Sequence, residues 1–377
     1  MLSRLFAIIR KETREVLRDR IYLSLAIAVP LIVTVLLGLG FVLDVKNLPV
    51  VFYDQDRSSL SREYIYSFTN SEYFRLVGFV AGPAQFEQLL QSGAVRAVVV
   101  IPPDFSRKLH GGKQVAVQIL VDGSFAARAQ IVSGYIAAID AQFNAQLLSR
   151  YLAGKGVVTT NLAPVSTEGR VWYNPSLESK NSVVPGLMVI TLMFYPGLLA
   201  ALVVVREKER GTIFNLYCSP VRRWEVIAGK AVPYIGVAFL DYFLIFSLSI
   251  LVFQVRFVGN FFVLTLAALL YITCCIGVGL VISVFCKTQV AAMLATFVAM
   301  MTPSLMFSGM MTPIASMDRS AQMISRVIPA SYFMGMARGV YLKGLGFFYY
   351  LPDFLTLLLF AAVVYGIAVL GFRKRVG

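Results

Sequence analysis

Histidine, cysteine and charged residues are scarce in this chain of 377 residues. His110 is the single histidine, so we expect neither histidine-based catalysis nor a metal centre. The four cysteines, Cys218, Cys274, Cys275 and Cys286, lie within or beside hydrophobic runs, which argues against a disulfide framework. Charged residues make up 14% of the chain, against about 25% in soluble domains, and hydrophobic residues 58%. This composition is typical of an integral membrane protein.

A Walker A loop, G-x-x-x-x-G-K-[ST], is absent from the 377 residues. The Gly-Lys pairs at Gly112, Gly154 and Gly229 are followed by Gln, Gly and Ala, whereas the loop needs a Ser or Thr hydroxyl to hold magnesium. The formal net charge is +14, but the bases cluster at the edges of apolar runs and form no basic stripe interleaved with aromatics. We therefore expect no nucleic-acid binding, no bound cofactor and no ATP hydrolysis by this chain itself.

Six hydrophobic runs are long enough to cross a bilayer. They are residues 21–43, 184–205, 227–253, 261–285, 290–311 and 351–372. The first run is not followed by a small-residue cleavage site, so we expect a retained transmembrane helix and not a signal peptide. Residues 1–20 predict an amphipathic helix in the cytoplasmic interface, with Phe6, Val16 and Leu17 on its apolar face. The predicted fold is an α-helical polytopic membrane protein with six transmembrane helices.

Basic residues predict the orientation of these spans. Sixteen bases fall in the segments assigned to the cytoplasm, which are residues 1–20, the region from Arg206 to Lys230, Lys287 and the tail 373–377. The short segments assigned to the outside carry five. Both termini and the loop 206–226 are therefore expected in the cytoplasm.

The long polar segment 44–183 is then expected outside, as an α/β domain inserted between the first and second spans. Strands are predicted at residues 49–53, 75–80, 94–101 and 115–122, and helices at residues 58–70, 84–91, 105–110 and 125–152. Residues 312–350, between the fifth and sixth spans, predict short helices at the outer face.

The loop between the second and third spans carries the most informative motif. It runs Arg206-Glu207-Lys208-Glu209-Arg210-Gly211-Thr212, then Ser219-Pro220 and Gly229-Lys230. A lipid anchor would need bases alone, so the interleaved acids favour contact with another protein. Gly211 and Pro220 bound a short segment whose helix Thr212 can cap. Glu207 and Glu209 are expected to pair with a partner's bases or with Arg210.

This motif resembles the permease subunits of type-2 ABC exporters. Three further stretches carry the resemblance in family order: Lys11-Glu12 with Leu17-Arg18-Asp19-Arg20; Leu43-Asp44-Val45-Lys46-Asn47-Leu48-Pro49 with Tyr53-Asp54-Gln55-Asp56-Arg57-Ser58; and Phe307-Ser308-Gly309 with Pro313, Ile328-Pro329-Ala330 and Arg338-Gly339-Val340. Together the four stretches cover nearly the whole chain.

The resemblance implies a half-transporter in a bacterial inner membrane that pairs with a second permease copy or a paralogue. A separate ABC ATPase subunit, which binds ATP and magnesium, would grip the loop as a coupling helix. The implied coupling residues are Arg206, Glu207, Glu209, Arg210, Gly211, Thr212, Phe214 and Pro220. Phe214 stands where many relatives carry glutamate, which leaves open whether polar or apolar contacts dominate. By analogy, a periplasmic adaptor is a further expected partner.

Two other features carry predictions. Asp241, the acid deep in the third span, either lines the export path or is a structural acid at a helix interface. Gly335 and Gly339, and likewise Gly277 and Gly279, are spaced for close helix packing.

Two other classes of function were weighed. A secondary transporter driven by an ion gradient would place carboxylates in several spans and show repeated halves. This chain has one such carboxylate and no repeat. A membrane receptor that acts through its outer domain would need neither six spans nor a charged inner loop. The substrate stays open among drugs, lipids, glycans, ions and peptides.

Overall fold

The computed structural model describes residues 2–40, 47–123, 126–154, 173–174 and 178–372. The helices are α1 (Leu2–Arg18), α2 (Arg20–Gly40), α3 (Ser59–Thr69), α4 (Pro83–Gln91), α5 (Phe105–His110), α6 (Ala126–Gly154), α7 (Lys180–Glu209), α8 (Ile213–Tyr217), α9 (Arg223–Leu251), α10 (Phe261–Phe285), α11 (Gln289–Thr296), α12 (Thr302–Phe307), α13 (Arg319–Val327), α14 (Pro329–Arg338) and α15 (Leu351–Gly371). The strands are β1 (Leu48–Asp54), β2 (Phe74–Phe79), β3 (Ala97–Ile101) and β4 (Gln118–Val121). Two compact units result, one with α1, α2 and α7–α15, the other with β1–β4 and α3–α6.

Six helical segments of the described residues are long and apolar enough to cross a membrane. They are Leu23–Gly40, Lys180–Glu209, Arg223–Leu251, Phe261–Phe285, Gln289–Phe307 and Phe347–Gly371. The prediction of six spans is confirmed by length and composition, because an apolar run of about 20 residues must satisfy its backbone within a helix. The end of the predicted first span, in residues 41–46, and the tail 373–377 lie outside the described residues.

The fifth span ends earlier than predicted. Residues 290–311 were expected to be one helix, but α11 passes through a π-helical segment, Phe297–Met301, into α12, which ends at Phe307. Gly309 follows with a φ of +84°, a left-handed conformation that stops the helix. Arg338 of α14 donates to the carbonyl oxygens of Gly309, at 2.7 Å, and of Met310, at 3.1 Å, and so holds this turn.

The segment after the fifth span is helical, as predicted for residues 312–350. It contains α13, α14, a π-helical segment at Gly339–Lys343, and 3₁₀ turns at Ile314–Ser316 and Phe347–Tyr350.

Helix α7 is the central element of its unit, since it packs against α2, α9, α10, α11 and α14. Its contact with α10 is close because both helices present glycine there. A Cβ atom at Gly279 would overlap the carbonyl oxygen of Gly197 and lie 2.9 Å from the Cβ of Ala200. Near the same interface, the Tyr271 hydroxyl donates to the Val189 carbonyl at 3.0 Å. Small residues therefore let two backbones approach where the bilayer offers little hydrophobic drive for association.

Helix α1 packs on α9 by a face that matches the predicted one only in part. Ile8 and Val16 are buried, and a Cβ at Gly229 would come within 2.6 Å of the Cγ2 atom of Ile8. Phe6 and Leu17, predicted on the same apolar face, remain 66% and 59% exposed. These exposed apolar side chains suit a lipid interface, and the interfacial position of α1 stays a prediction.

The second unit is built on a four-stranded sheet in the order β2-β1-β3-β4. β1 pairs in parallel with β2 and β3, and β4 pairs antiparallel with β3. Alternate side chains of β1 point to opposite faces. Val50 and Phe52 pack with residues of α3 and α6, whereas Val51 packs with Phe86 of α4. All four predicted strands and the helices between them are observed, with shifts of up to three residues at most of their ends.

Candidate functional site

The charged motif begins as the last turn of α7 and not as a loop. α7 continues to Glu209, where the Arg210 amide donates to the Arg206 carbonyl at 3.1 Å. Gly211 follows with a φ of +73° and ends the helix. Because α9 already begins at Arg223, the predicted loop 206–226 is shorter at both ends.

A buried network of charged side chains joins the end of α7 to α1 and α9. We call it the charge cluster; it consists of Lys11, Glu12, Glu207 and Lys230. The Lys230 ammonium donates to Glu12 Oε1 at 2.8 Å and lies 3.0 Å from Glu207 Oε1. The Lys11 ammonium lies 2.8 Å from Glu207 Oε1 and 3.0 Å from Glu12 Oε1. The Lys230 side chain is only 1% exposed, whereas that of Lys11 is 52% exposed. Two buried carboxylates are thus balanced by two ammonium groups, as burial of charge requires.

Electrostatics keep both α1 members of the charge cluster ionised. Burial works to lower the pKa of Lys11, but the hydrogen bond to Glu207 and the attraction of both carboxylates raise it above its ordinary value. Burial works to raise the pKa of Glu12, but Lys230 and Lys11 lower it below its ordinary value.

The next two residues of the motif hold neighbouring helix ends. The Lys208 ammonium donates to the carbonyl oxygens of Ser283 at 3.0 Å, Val284 at 2.5 Å and Cys286 at 2.9 Å. The last carbonyl groups of a helix lack intrahelical hydrogen-bond donors, and the Lys208 ammonium donates to those at the end of α10. The Glu209 carboxylate accepts from the backbone amide of Gln289 at 2.7 Å and from its side-chain amide. Gln289 begins α11, where a helix N-terminus favours an anion.

Within the chain, Glu207 pairs with Lys11 and Lys230 and Glu209 binds Gln289, and neither acid has a recorded pair with Arg210; pairing with a partner's bases stays a prediction. Both acids are engaged within the chain, because the ends of four helices converge on them. Sequence reasoning also missed Glu12 and Lys230 as members of the site. Two signals could have found them: an acid at helical spacing between the apolar residues of α1, and a lysine inside the predicted third span.

The residues exposed between α7 and α9 include large aromatic and basic side chains. Phe214 on α8 is 50% exposed, while its neighbour Ile213 is buried and fixes α8 to the unit. Trp224 is 39% exposed. We call this the exposed loop surface; its members are Arg210, Phe214, Arg222, Arg223 and Trp224. Large aromatics beside arginine are typical of protein interfaces.

Thr212 and Pro220 have structural surroundings that differ from the prediction. The Thr212 side chain makes no capping hydrogen bond to α8, so its predicted capping role is wrong. Its hydroxyl lies 3.5 Å from the Glu207 carbonyl oxygen instead. The Pro220 carbonyl accepts from Arg4 Nη1 at 2.8 Å, which ties the loop to α1.

Comparison with known families bears directly on this arrangement. The model of the family described as ABC-2 family transporter protein matches residues 20–370. The chain belongs to the ABC-2 transporter family. The match covers all six candidate spans except the last residue of α15, together with the charged motif.

Several curated relatives align with this ABC-2 protein over most of its length. It is 30% identical over 376 residues to the probable multidrug ABC transporter permease YbhR of Escherichia coli K12, with 100% of both chains covered. It is 29% identical to the probable multidrug ABC transporter permease YbhS of that strain, over 90% of this chain and 89% of the relative. It is 27% identical to the inner membrane transport permease YhhJ of Escherichia coli K12, over 100% of this chain and 98% of the relative. The protein is thus a multi-pass membrane permease.

Asp241 of the permease is buried in the middle of α9. It is 1% exposed, and its Oδ1 atom has no hydrogen-bond partner among the residues that the structure describes. The two roles predicted for it, in the export path or in structure, both remain predictions.

We expect Asp241→Asn to leave the unfolding temperature of the detergent-solubilised permease unchanged or higher. The amide removes the cost of burying a carboxyl group, and no recorded hydrogen bond of Oδ1 is lost. Glu225→Met is the comparison variant, because it removes the acceptor Glu225 Oε2, which receives the Arg222 amide at 2.7 Å at the start of α9. Its loss is expected to cost about 1 kcal/mol. A lower unfolding temperature for Asp241→Asn than for Glu225→Met would contradict this view.

Gly335 and Gly339, both predicted for helix packing, differ. A Cβ atom at Gly339 would overlap the hydroxyl of Tyr350, so this glycine does permit a close contact. A Cβ atom at Gly335 would meet nothing within 4 Å. Gly335 lines a pocket with Arg326, Ser331 and Asp353 instead, and its predicted packing role is wrong.

Proposed function

We propose that the chain is the membrane-spanning subunit of an ATP-driven ABC exporter. Two permease subunits, identical or paralogous, form the export path, and a separate ABC ATPase that binds ATP and magnesium supplies the energy. Membership of the ABC-2 family and the names of the relatives support this class of function. Because two relatives are named as probable multidrug permeases, drugs are the favoured substrates, and a periplasmic adaptor is a further candidate partner.

The proposed orientation places both termini and the exposed loop surface in the cytoplasm. The excess of bases around residues 1–20 and 206–230 supports it. In this orientation the α/β unit is an extracytoplasmic domain, within residues 44–183, and α13 and α14 lie at the outer face. The exposed loop surface then faces the compartment that contains ATP.

The observation that carries the proposal is the exposed Phe214 on a short, anchored helix. Ile213 holds α8 against the permease while Phe214 extends away from it. Glu207 is buried, and the exposed Glu209 is held by Gln289, so Phe214 and the arginines are the exposed groups of the loop that a partner can contact. We infer that the ATPase offers an apolar pocket with an acidic rim, which would recognise Phe214 and the arginines around it. This deepens the coupling role predicted for residues 206–220 and favours an apolar grip.

The charge cluster supports the same function. It fixes the start of α9 and the end of α7 to α1, so a force on α8 would be transmitted to three helices together. Lys208 and Glu209 extend this connection to α10 and α11.

We expect Phe214→Asp to abolish coupling without unfolding the permease. The tagged permease is purified from its native membrane, and vanadate-sensitive ATP hydrolysis and ATP-driven drug transport are measured. Loss of a buried aromatic contact is worth about 1.5–3 kcal/mol, so association with the ATPase should fall roughly tenfold or more. The unfolding temperature should not change, because the side chain is half-exposed.

Phe348→Asp is the matched control. Phe348 is 86% exposed and belongs to the segment that we place at the outer face. The Phe348→Asp variant should bind the ATPase and transport drugs as well as the wild type does. If the tagged wild-type permease carries no ATPase, or if Phe214→Asp transports as well as wild type, the proposal fails.

A further inference from the structure

A cleft of about 680 Å³ opens beside the charge cluster, bounded by α1, α7, α8 and α9. It lies where the apolar run of α7 ends, because Val203 and Arg206 both line it. One wall is apolar, with Val203 and Tyr234, and the rest carries charges of both signs. In a membrane, this transition from apolar to charged residues marks the depth of the lipid headgroups.

Glu207 lines the cleft and carries one buried acceptor that has no partner among the described residues. Glu207 is 7% exposed, and its Oε1 atom receives both ammonium groups of the charge cluster. Its Oε2 atom is buried and has no hydrogen-bond partner among the described residues. A buried carboxylate oxygen without a donor is costly, so a donor from a ligand would be stabilising.

The cleft is also lined by two arginine side chains, those of Arg18 and Arg210, that form no recorded ion pair with a described residue. Guanidinium groups match the oxygens of phosphate in bidentate geometry. A ligand for this cleft therefore needs a hydrogen-bond donor, preferably cationic, a phosphate and an apolar part.

We propose that the cleft binds the headgroup of an aminophospholipid of the phosphatidylethanolamine class. Its primary ammonium donates to Glu207 Oε2, its phosphate meets Arg18 and Arg210, and its glycerol and acyl chains follow Val203. A purely anionic headgroup would leave Glu207 Oε2 unsatisfied. A choline headgroup has the same charge but no N–H to donate. The inference concerns lipid binding alone and does not depend on the proposed export function.

The test measures lipid retention by the full-length permease. Purified, delipidated protein in detergent is exposed to equimolar phosphatidylethanolamine, phosphatidylcholine and phosphatidylglycerol with identical acyl chains, and bound lipid is counted by native mass spectrometry. We expect retention of phosphatidylethanolamine over phosphatidylcholine by roughly tenfold, the value of one charge-assisted hydrogen bond. Equal retention of the three lipids would overturn the proposal.

Variants locate the site without disturbing the charge cluster. Arg18→Gln combined with Arg210→Gln should remove the preference, while the unfolding temperature stays that of wild type. Arg222→Gln combined with Arg223→Gln is the matched control, since these arginines are exposed but do not line the cleft. If the first pair keeps the lipid preference, the proposal fails.

Discussion

Lys230→Met is expected to lower the stability of the permease by about 3–5 kcal/mol. The substitution keeps most of the side-chain volume but removes a cation that lies within 3.0 Å of two buried carboxylates, those of Glu12 and Glu207. The half-exposed Lys11 would then face both acids alone, which leaves net negative charge in a low-dielectric site. The measurements are the unfolding temperature in detergent and the yield of monodisperse protein in size-exclusion chromatography.

Lys11→Met is the matched control for this prediction. Lys11 contacts the same two carboxylates, but its side chain is 52% exposed, so water can replace it. Its loss should cost clearly less than the loss of Lys230. Adding Glu12→Gln to Lys230→Met should recover part of the stability, because one stranded charge is neutralised. If Lys230→Met unfolds at the wild-type temperature, the ion pairs of the charge cluster contribute nothing to stability.

The six spans could be predicted because their signal is local. An apolar run long enough to cross a bilayer has few alternatives to a helix, and the strands of the α/β unit follow equally local patterns. The boundary at Val205 shows the limit of this reasoning. The apolar run ends there, but the residues Arg206–Glu209 are good helix formers, and α7 continues to Glu209. The end of an apolar run and the end of a helix are different physical events.

The partners of the charged residues could not be predicted, because they depend on packing between distant segments. Glu207 meets Lys11, which lies 196 positions earlier, and Lys230 meets Glu12 across 218 positions. Composition and spacing describe the charges of one segment, so Glu207 and Glu209 seemed available to another protein. The fold instead brings the ammonium groups of Lys11 and Lys230 to Glu207 and the amide groups of Gln289 to Glu209.

Glycine spacing was also an incomplete guide to helix contacts. The pair Gly335 and Gly339 has the expected spacing, yet only Gly339 is closely approached. The tightest contact of α7 joins Gly197 and Gly279, which lie on different helices, so no spacing within one segment can identify the pair. Whether a glycine is needed depends on the surface opposite to it.

Gly279→Val is expected to destabilise the permease by about 3 kcal/mol and to reduce the yield of folded protein. Its branched side chain would meet the carbonyl group of Gly197 and the Cβ of Ala200, and backbone cannot move aside as a flexible side chain can. The two helices would have to separate. Because Lys208 and Ser283 lie further along the same pair of helices, separation would also strain the hydrogen bonds that hold the end of α10.

Gly366→Val is the control for this substitution, and thermal unfolding in detergent is the measurement. Gly366 also lies in a membrane-spanning helix, α15, but a Cβ atom there meets nothing within 4 Å. It should therefore tolerate valine with a change below about 1 kcal/mol. Gly279→Ala should fall between the two, since its single methyl group meets the same carbonyl with less volume to displace. If Gly279→Val and Gly366→Val unfold at the same temperature, α7 and α10 do not approach closely at Gly279.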